Sequence, residues 1–301
     1  MKAFVFPGQG SQYLGMGKDF YENFEEVRQL HEKVNERLSF NLTDIIFNDE
    51  EKLNLTEFTQ PALVLTSYIT YKIFKEKKNI NPDFVAGHSL GEFTALAVAD
   101  SLSLEDAVYI THIRGKLMQS AVPEGVGLMA AIIGLEAPKI EEVLKQIDGI
   151  VEIANYNSYE QTVISGEKQA VEKAMEILKS QGAKKVVPLA VSVPAHSSML
   201  KEKAQEFGEY LEKIQIKDAN IPVISNVSAK PITKSEDIKQ ELKVHFYSPV
   251  RWVQTVEYMT DAGVKEIYEI GPKKVLTGLI KRINKDLNLK NIESLQDIEN
   301  A

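Results

Sequence analysis

The residues best placed to do chemistry in this chain are Gly87-His88-Ser89-Leu90-Gly91. They follow a short apolar run, Phe84-Val85-Ala86, and precede Glu92-Phe93-Thr94-Ala95-Leu96-Ala97, so the context reads as strand, tight turn, helix. A serine at such a turn is a nucleophile elbow, where the backbone bends so sharply that the hydroxyl is thrust out at the end of a sheet and the start of a helix. Flanking glycines let strand and helix approach closely. The pattern predicts a nucleophilic Ser89.

A serine nucleophile needs a base, and the chain has five histidines: His31, His88, His112, His196 and His245. His31 and His112 lie among polar helical neighbours and are expected at the surface. His88 adjoins Ser89, but successive residues of an extended chain point to opposite sides, which makes it a packing or supporting residue. His196 follows Ser192-Val193-Pro194-Ala195 and precedes a helix whose apolar face is Leu200, Ala204, Phe207, Leu211 and Ile214. At a helix N-terminus the dipole disfavours imidazolium and keeps the ring neutral, able to accept a proton. The competing reading of His196 is a loop histidine satisfied by backbone.

Arg114 is an anomaly of a different kind. Residues 104–119 read as a helix with an apolar stripe of Ala107, Ile110, Leu117 and Met118, and position 114 falls on that stripe. A guanidinium on a buried face needs an anion. That anion is an Asp or Glu of the protein, unless the aliphatic stem snorkels outward or the residue grips a substrate carboxylate bidentately. Pro7-Gly8-Gln9-Gly10-Ser11-Gln12 lacks the glycine spacing of a dinucleotide fingerprint and the lysine of a P-loop. It is either an ordinary strand-to-helix turn or a loop offering backbone N–H groups, or the Gln9 amide, to a developing oxyanion.

These residues need a scaffold, and the chain's punctuation supplies one. Ala3-Phe4-Val5-Phe6 stops at Pro7-Gly8, Pro61 suits a first helical turn before an apolar helix over 62–74, and 221–227 and 264–270 read as further strands. Strands alternating with helices imply a parallel sheet covered on both faces. The middle differs: strand 127–134, helix 139–147, strand 150–154, strand 161–165, helix 168–180 and strand 186–191 give β-α-β-β-α-β, the ferredoxin-like order. The expected fold is therefore α/β. Residues 1–124 and 194–301 form the larger domain, and 125–193 form an inserted small subdomain, with a ligand cleft between them.

Bulk properties narrow the function classes. A chain of 301 residues with 44% apolar residues can bury a sizeable core. A formal charge of −8 disfavours nucleic acid as a partner. The absence of cysteine removes disulfides, thiolate metal sites and a cysteine nucleophile. No apolar run is long enough to span a bilayer and no secretory signal is visible, so a cytoplasmic monomer is expected.

Taken in order, Phe6-Pro7-Gly8-Gln9-Gly10-Ser11-Gln12, Gly87-His88-Ser89-Leu90-Gly91-Glu92, Arg114-Gly115 with Met118, Ala154-Asn155-Tyr156-Asn157-Ser158, Val193-Pro194-Ala195-His196, Ser248-Pro249-Val250-Arg251-Trp252 and Glu269-Ile270-Gly271-Pro272 resemble the malonyl-CoA:acyl carrier protein transacylases over nearly the whole chain. The resemblance implies a hydrolase-like parallel-sheet domain with a ferredoxin-like insert. It also implies Ser89 as nucleophile, His196 as general base and then acid, Gln9 and the Leu90 N–H as the oxyanion hole, and Arg114 as the ligand of the malonyl carboxylate. His88 and Met118 would line the pocket, and a backbone carbonyl around Val250 to Arg251 would orient His196 in place of a carboxylate. Malonyl-CoA and acyl carrier protein would be the substrates, with no cofactor and no metal. Lys274, Lys281 and Lys285, on one helical face with Arg282 beside it, are either a solvated helix end or the patch that meets the acidic carrier. Many relatives have serine at Ala195 and asparagine at Ser248, two departures beside the site. The remaining alternatives are a serine hydrolase or thioesterase, a trans-acting acyltransferase of a polyketide pathway, and a catalytically silent binding protein.

Overall fold

The computed structural model describes residues 1–191 and 193–301; Ser192, in the segment leading to His196, lies outside the described residues. Among the described residues ten strands fall into two sheets: β1 (Lys2–Phe6), β2 (Phe84–Gly87), β3 (Gly127–Ile133), β4 (Val151–Ser158), β5 (Gln161–Glu167), β6 (Lys185–Pro188), β7 (Val223–Ile224), β8 (Pro231–Ile232), β9 (Glu266–Ile270) and β10 (Asn288–Ile292). The larger sheet runs β10-β9-β1-β2-β7-β8 and is parallel except for β8 at its edge. Its central strands β1 and β2 are buried almost throughout, as expected for a sheet covered on both faces. One core, around Phe4, Phe6, Phe74, Phe93 and Phe207, lies on one face; another, around Val5, Trp252, Val256 and Ile280, lies on the other.

The second sheet, β4-β5-β3-β6, is antiparallel throughout, and the helices Ala137–Leu144 and Lys168–Ser180 share its apolar core. This is the ferredoxin-like order, and all its elements lie within 125–193. The small sheet is tied to the segment that precedes the helix Trp252–Asp261. Val250 N–H donates to the Ala154 carbonyl (2.8 Å) and Tyr156 N–H to the Val250 carbonyl (2.9 Å).

Several element boundaries depart from the sequence expectation for local reasons. Strand β7 covers only two of the residues in the expected 221–227 segment, because the Asn226 N–H is taken by the Glu92 carboxyl (2.9 Å) and that of Val227 by Glu241 (3.1 Å). β4 runs four residues past the expected Ala154, through two register shifts. β6 ends at Pro188, short of the expected Val191, with one further bond from the Leu189 N–H to the Met129 carbonyl (2.9 Å). The long helix starts at Thr56, so Pro61 lies inside it. A proline there leaves the carbonyl of Glu57 without its helical donor. The ring of His112 supplies one, its Nδ1 being 3.0 Å from that oxygen. His112 is therefore half-buried and structural, and His31 is buried at 4% exposure, bonded to Thr43 Oγ1 at 2.9 Å and edge-on to Tyr21. Neither is the surface histidine that its polar sequence neighbours suggest.

Candidate active site

Strand β2 ends at Gly87 and the helix Gly91–Val98 begins four residues later, with Ser89 at the apex. The turn is tight enough that a Cβ at Gly87 would lie 1.9 Å from the Gly91 carbonyl carbon, and one at Gly91 would lie 2.1 Å from the Phe6 oxygen. Ser89 has φ of 51°, in the left-handed region. That conformation is costly for a residue with a Cβ, and the surroundings must hold it. Asn226 does so: its Oδ1 accepts the Ser89 N–H at 2.8 Å while its Nδ2 donates to the Gly87 carbonyl at 2.6 Å.

His196 reaches the elbow from the loop that returns from the small subdomain. Its Nε2 lies 2.7 Å from Ser89 Oγ. Its own backbone is left-handed too, with φ of 58°, and its N–H donates to the Phe246 carbonyl at 3.0 Å. Nδ1 faces two carbonyl oxygens, those of His245 and Ser248, each at 3.0 Å. Carbonyls only accept, so Nδ1 carries the proton and Nε2 is left with the lone pair that a base needs. The orienting carbonyls are thus not those of Val250 or Arg251. The Val250 oxygen is spent on Tyr156, while Arg251 donates its N–H to the Asn226 carbonyl at 2.9 Å and its Nε–H to that of Val227 at 3.0 Å. Burial, then the charge of Arg114 and the nearby His88, lower the His196 ring to about 3. Desolvation therefore does what the sequence reading assigned to a helix dipole: the helix Lys201–Leu211 begins beyond an intervening 3₁₀ turn, Ser198–Leu200.

Arg114 is 1% exposed, on the helix Leu104–Gln119. Nη1 donates to Gln60 Oε1 (2.9 Å), and Nη2 lies 3.3 Å from His245 Nδ1 and 3.4 Å from Ser89 Oγ. Phe93 and Phe246 face the guanidinium at 5.4 and 5.7 Å, and its Nε has no partner among the described residues. No carboxylate lies within ion-pair distance of it among the described residues. The nearby Glu92 carboxyl is held well above the usual range by burial and by Glu241. Burial lowers Arg114 to about 9, which still leaves it charged at neutral pH. The floor of the site is thus a buried cation with no carboxylate at ion-pair distance among the described residues.

Gln9 and Leu90 stand at the rim. The Gln9 amide gives one of its two hydrogens to Thr56 Oγ1 (3.1 Å), which leaves the other and the backbone N–H as donors for an oxyanion. The N–H groups of Gln9 and Leu90 take no acceptor among the described residues. His88 turns away from Ser89, bonding Asn157 Oδ1 at 2.6 Å with its ring edge-on to Trp252, and Met118 Sδ accepts from Gln60 at 3.5 Å. Gln9, His88, Ser89, Leu90, Arg114 and His196, with Met118, border one cavity of about 400 Å³ between the sheets, whose apolar wall includes Met129, Val163 and Leu279.

Lys274 caps the helix Val275–Ile283, Lys281 and Arg282 close it, and all three are exposed. Lys285 lies beyond the helix end rather than on its face. Arg282 reaches back to Gln161 at the cavity rim (3.0 Å). The residues that sequence reasoning missed are Gln60, Asn226 and His245. Gln60 left a trace, as a polar residue inside an apolar helix; the other two left none.

Comparison with known proteins fits this geometry. The model of the acyl transferase domain matches residues 3–298. A malonyl CoA-acyl carrier protein transacylase of Bacillus subtilis is 45% identical over 303 residues, covering 99% of this chain and 95% of that protein. One of Staphylococcus aureus is 44% identical, covering 99% and 97%. An acyl carrier protein S-malonyltransferase of Vibrio cholerae superposes with a TM-score of 0.97 at 40% identity, covering 99% of each chain. A malonyl-transacylase solved in complex with a type II PKS acyl-carrier protein superposes at 0.96 with 42% identity, covering 100% of this chain and 98% of that one. With the family model spanning all but a few residues at either end, the chain belongs to the acyl transferase family.

Proposed function

We propose that this protein transfers the malonyl group of malonyl-CoA to the phosphopantetheine thiol of acyl carrier protein, feeding fatty acid chain elongation. The observation that carries the reading is the buried, uncompensated guanidinium of Arg114 within 3.4 Å of the Ser89 hydroxyl. In a malonyl ester on Ser89 the free carboxylate lies only one methylene beyond the carbonyl, within reach of that cation. An acyl chain without the carboxylate leaves a buried charge unpaired, which is a strong basis for rejection.

The reaction runs in two halves. Ser89 Oγ attacks the thioester carbonyl as its proton passes to His196 Nε2. The negative oxygen of the tetrahedral adduct is met by the Leu90 and Gln9 N–H groups. The carbon–sulfur bond breaks, coenzyme A leaves with the proton held by His196, and a malonyl-serine ester remains. The carrier's thiol then attacks, His196 takes the thiol proton, and Ser89 Oγ recovers it as the new thioester departs. Side chains, the malonyl thioester and the carrier's thiol supply every reacting group, so the reading calls for no cofactor.

Arg114→Ala tests it. Malonyl transfer should fall by about 100-fold or more, with acetyl transfer little changed. An unaltered preference for malonyl-CoA over acetyl-CoA would reject the role. A hydrolase would instead release free malonate from the wild-type enzyme in preference to malonyl-carrier protein.

Carrier protein is acidic and this chain carries −8, so docking calls for local positive charge. The exposed Lys274, Lys281, Arg282 and Lys285 beside the cavity mouth offer it. Reversing Lys281 and Arg282 to glutamate should raise KM for carrier protein several-fold and leave that for malonyl-CoA alone. Equal KM values for carrier protein before and after would reject this surface. The neighbour that works with a polyketide carrier supports a second carrier class, and competition between fatty acid and polyketide carriers for the malonyl-enzyme would decide between them.

A further inference from the structure

We propose that the side chain of His245 is a positioning residue for Arg114, and through it sets which acyl group the enzyme accepts. The inference rests on the reading of Arg114 as the ligand of the acyl carboxylate.

His245 is 1% exposed, and its ring is wedged edge-on between Phe93 and His196 at centroid distances of 6.0 and 5.5 Å. Nδ1 lies 3.3 Å from Arg114 Nη2, Nε2 lies 3.2 Å from Asn226 Oδ1, and Glu92 Oε2 is 3.6 Å from Nε2. A guanidinium has no lone pair to offer, so the contact exists only if Nδ1 is the acceptor. The proton then sits on Nε2, pointing at the Asn226 amide oxygen. That tautomer requires a neutral ring, and burial with the charge of Arg114 holds His245 well below the usual range.

The result is a continuous hydrogen-bond chain. Arg114 donates to His245, His245 donates to Asn226, and the same Asn226 oxygen accepts the Ser89 N–H at 2.8 Å. The two ends of this chain are the groups whose separation must match one malonyl ester. Gln60 holds the guanidinium at its other nitrogen and Ser89 Oγ is a longer contact at 3.4 Å, so losing His245 would remove the shorter of the two contacts that fix Nη2. The side chain is separable from the backbone of the same residue, whose carbonyl serves His196. A substitution at position 245 therefore removes the contact to Arg114 and leaves the carbonyl in place.

The experiment compares kcat and KM for malonyl-CoA and acetyl-CoA in the wild type, His245→Leu, His245→Asn and Arg114→Ala. Leucine keeps bulk and burial but has no acceptor; asparagine places an oxygen near the position of Nδ1. In His245→Leu, kcat/KM for malonyl-CoA should fall about 10- to 100-fold, mostly through KM, as expected when a buried charged donor loses its partner. The malonyl-to-acetyl ratio should fall with it and be restored in His245→Asn. A ratio unchanged in a folded His245→Leu overturns the proposal, even if its thermal midpoint drops. Should that variant not fold, His245→Ala replaces it, and equal ratios in the alanine and asparagine variants overturn the proposal in the same way. Arg114→Ala separates the two readings. If it leaves the ratio unchanged, the carboxylate-binding role fails. If it lowers the ratio while His245→Leu does not, only the positioning role fails.

Discussion

Ser89→Ala should form no acyl-enzyme from labelled malonyl-CoA and lose carrier acylation by roughly four orders of magnitude or more. The size of the effect follows from the site's economy. Ser89 Oγ is the atom to which both His196 Nε2, at 2.7 Å, and Arg114 Nη2, at 3.4 Å, are directed. Removing it deletes the covalent intermediate itself. What remains is a cavity that can hold the thioester beside two backbone N–H groups without a nucleophile. Backbone effects should be small. Serine already bears the cost of φ 51°, alanine carries the same Cβ, and the Asn226 bond is to the main-chain N–H. Mass spectrometry of intact protein after a malonyl-CoA pulse reads the result directly. A malonyl adduct on the Ser89→Ala protein would move the nucleophile elsewhere, and a folded variant with retained turnover would remove Ser89 from the mechanism.

The elbow and Arg114 were legible in the sequence because each breaks a local pattern. Ser89 sits between glycines at a change from strand to helix, and the close approaches of Gly87 and Gly91 show why nothing larger fits. Arg114 interrupts an apolar stripe, and the helix Leu104–Gln119 buries it as the stripe predicts. The ferredoxin-like order was equally readable, since its alternation of periods is local. What holds those residues in place was not. Asn226 meets Ser89 across 137 positions of sequence, and His245 meets Arg114 across 131. No spacing rule connects them, because they arrive on loops brought in by sheet topology. The same limit explains the misplaced orienting carbonyl. Which oxygen faces His196 Nδ1 depends on the path of the loop around His245 and Ser248, not on the side chains it carries.

The fold also shows how so many titratable groups are buried around the elbow. Glu92 lies at 0% exposure in a fully buried helix, accepting the Asn226 N–H, and Glu241 braces Ser225 and Val227 next to it. Burial raises both carboxyls. It lowers His88, His196 and His245. Burial drives every one of these groups towards neutrality, the guanidinium included, but its proton is the hardest to remove and at about 9 it stays charged at neutral pH. A selective site for a dicarboxylic acyl group needs this contrast: one fixed positive charge, and no competing anion to satisfy it before the substrate arrives.

The neutral state of His196 leads to the second large effect. His196→Ala should lower kcat by about 10²- to 10⁴-fold, the usual range for a lost general base, while substrate binding persists. The pH dependence of the wild-type enzyme should carry the signature of the same residue. The base is competent only when Nε2 is unprotonated, so activity falls as pH drops through the ring's pKa. For an unshifted histidine near 6.5, only about 3% would remain neutral at pH 5. In the folded protein, burial first and then Arg114 and His88 lower the value to about 3. The acid limb of kcat/KM, which reports the free enzyme, should therefore lie well below pH 6.5, leaving the rate nearly flat between pH 7 and pH 5. Binding of a malonyl group offsets the charge of Arg114 and removes one of the lowering causes. The limb of kcat should then shift upward from that of kcat/KM, still short of the unshifted value because desolvation persists. Arg114→Ala should move the kcat/KM limb in the same direction by deleting that charge. A midpoint near 6.5 in the wild type, with no response to Arg114→Ala, would show that the ring is solvated and that the base is not held in the buried geometry described for it.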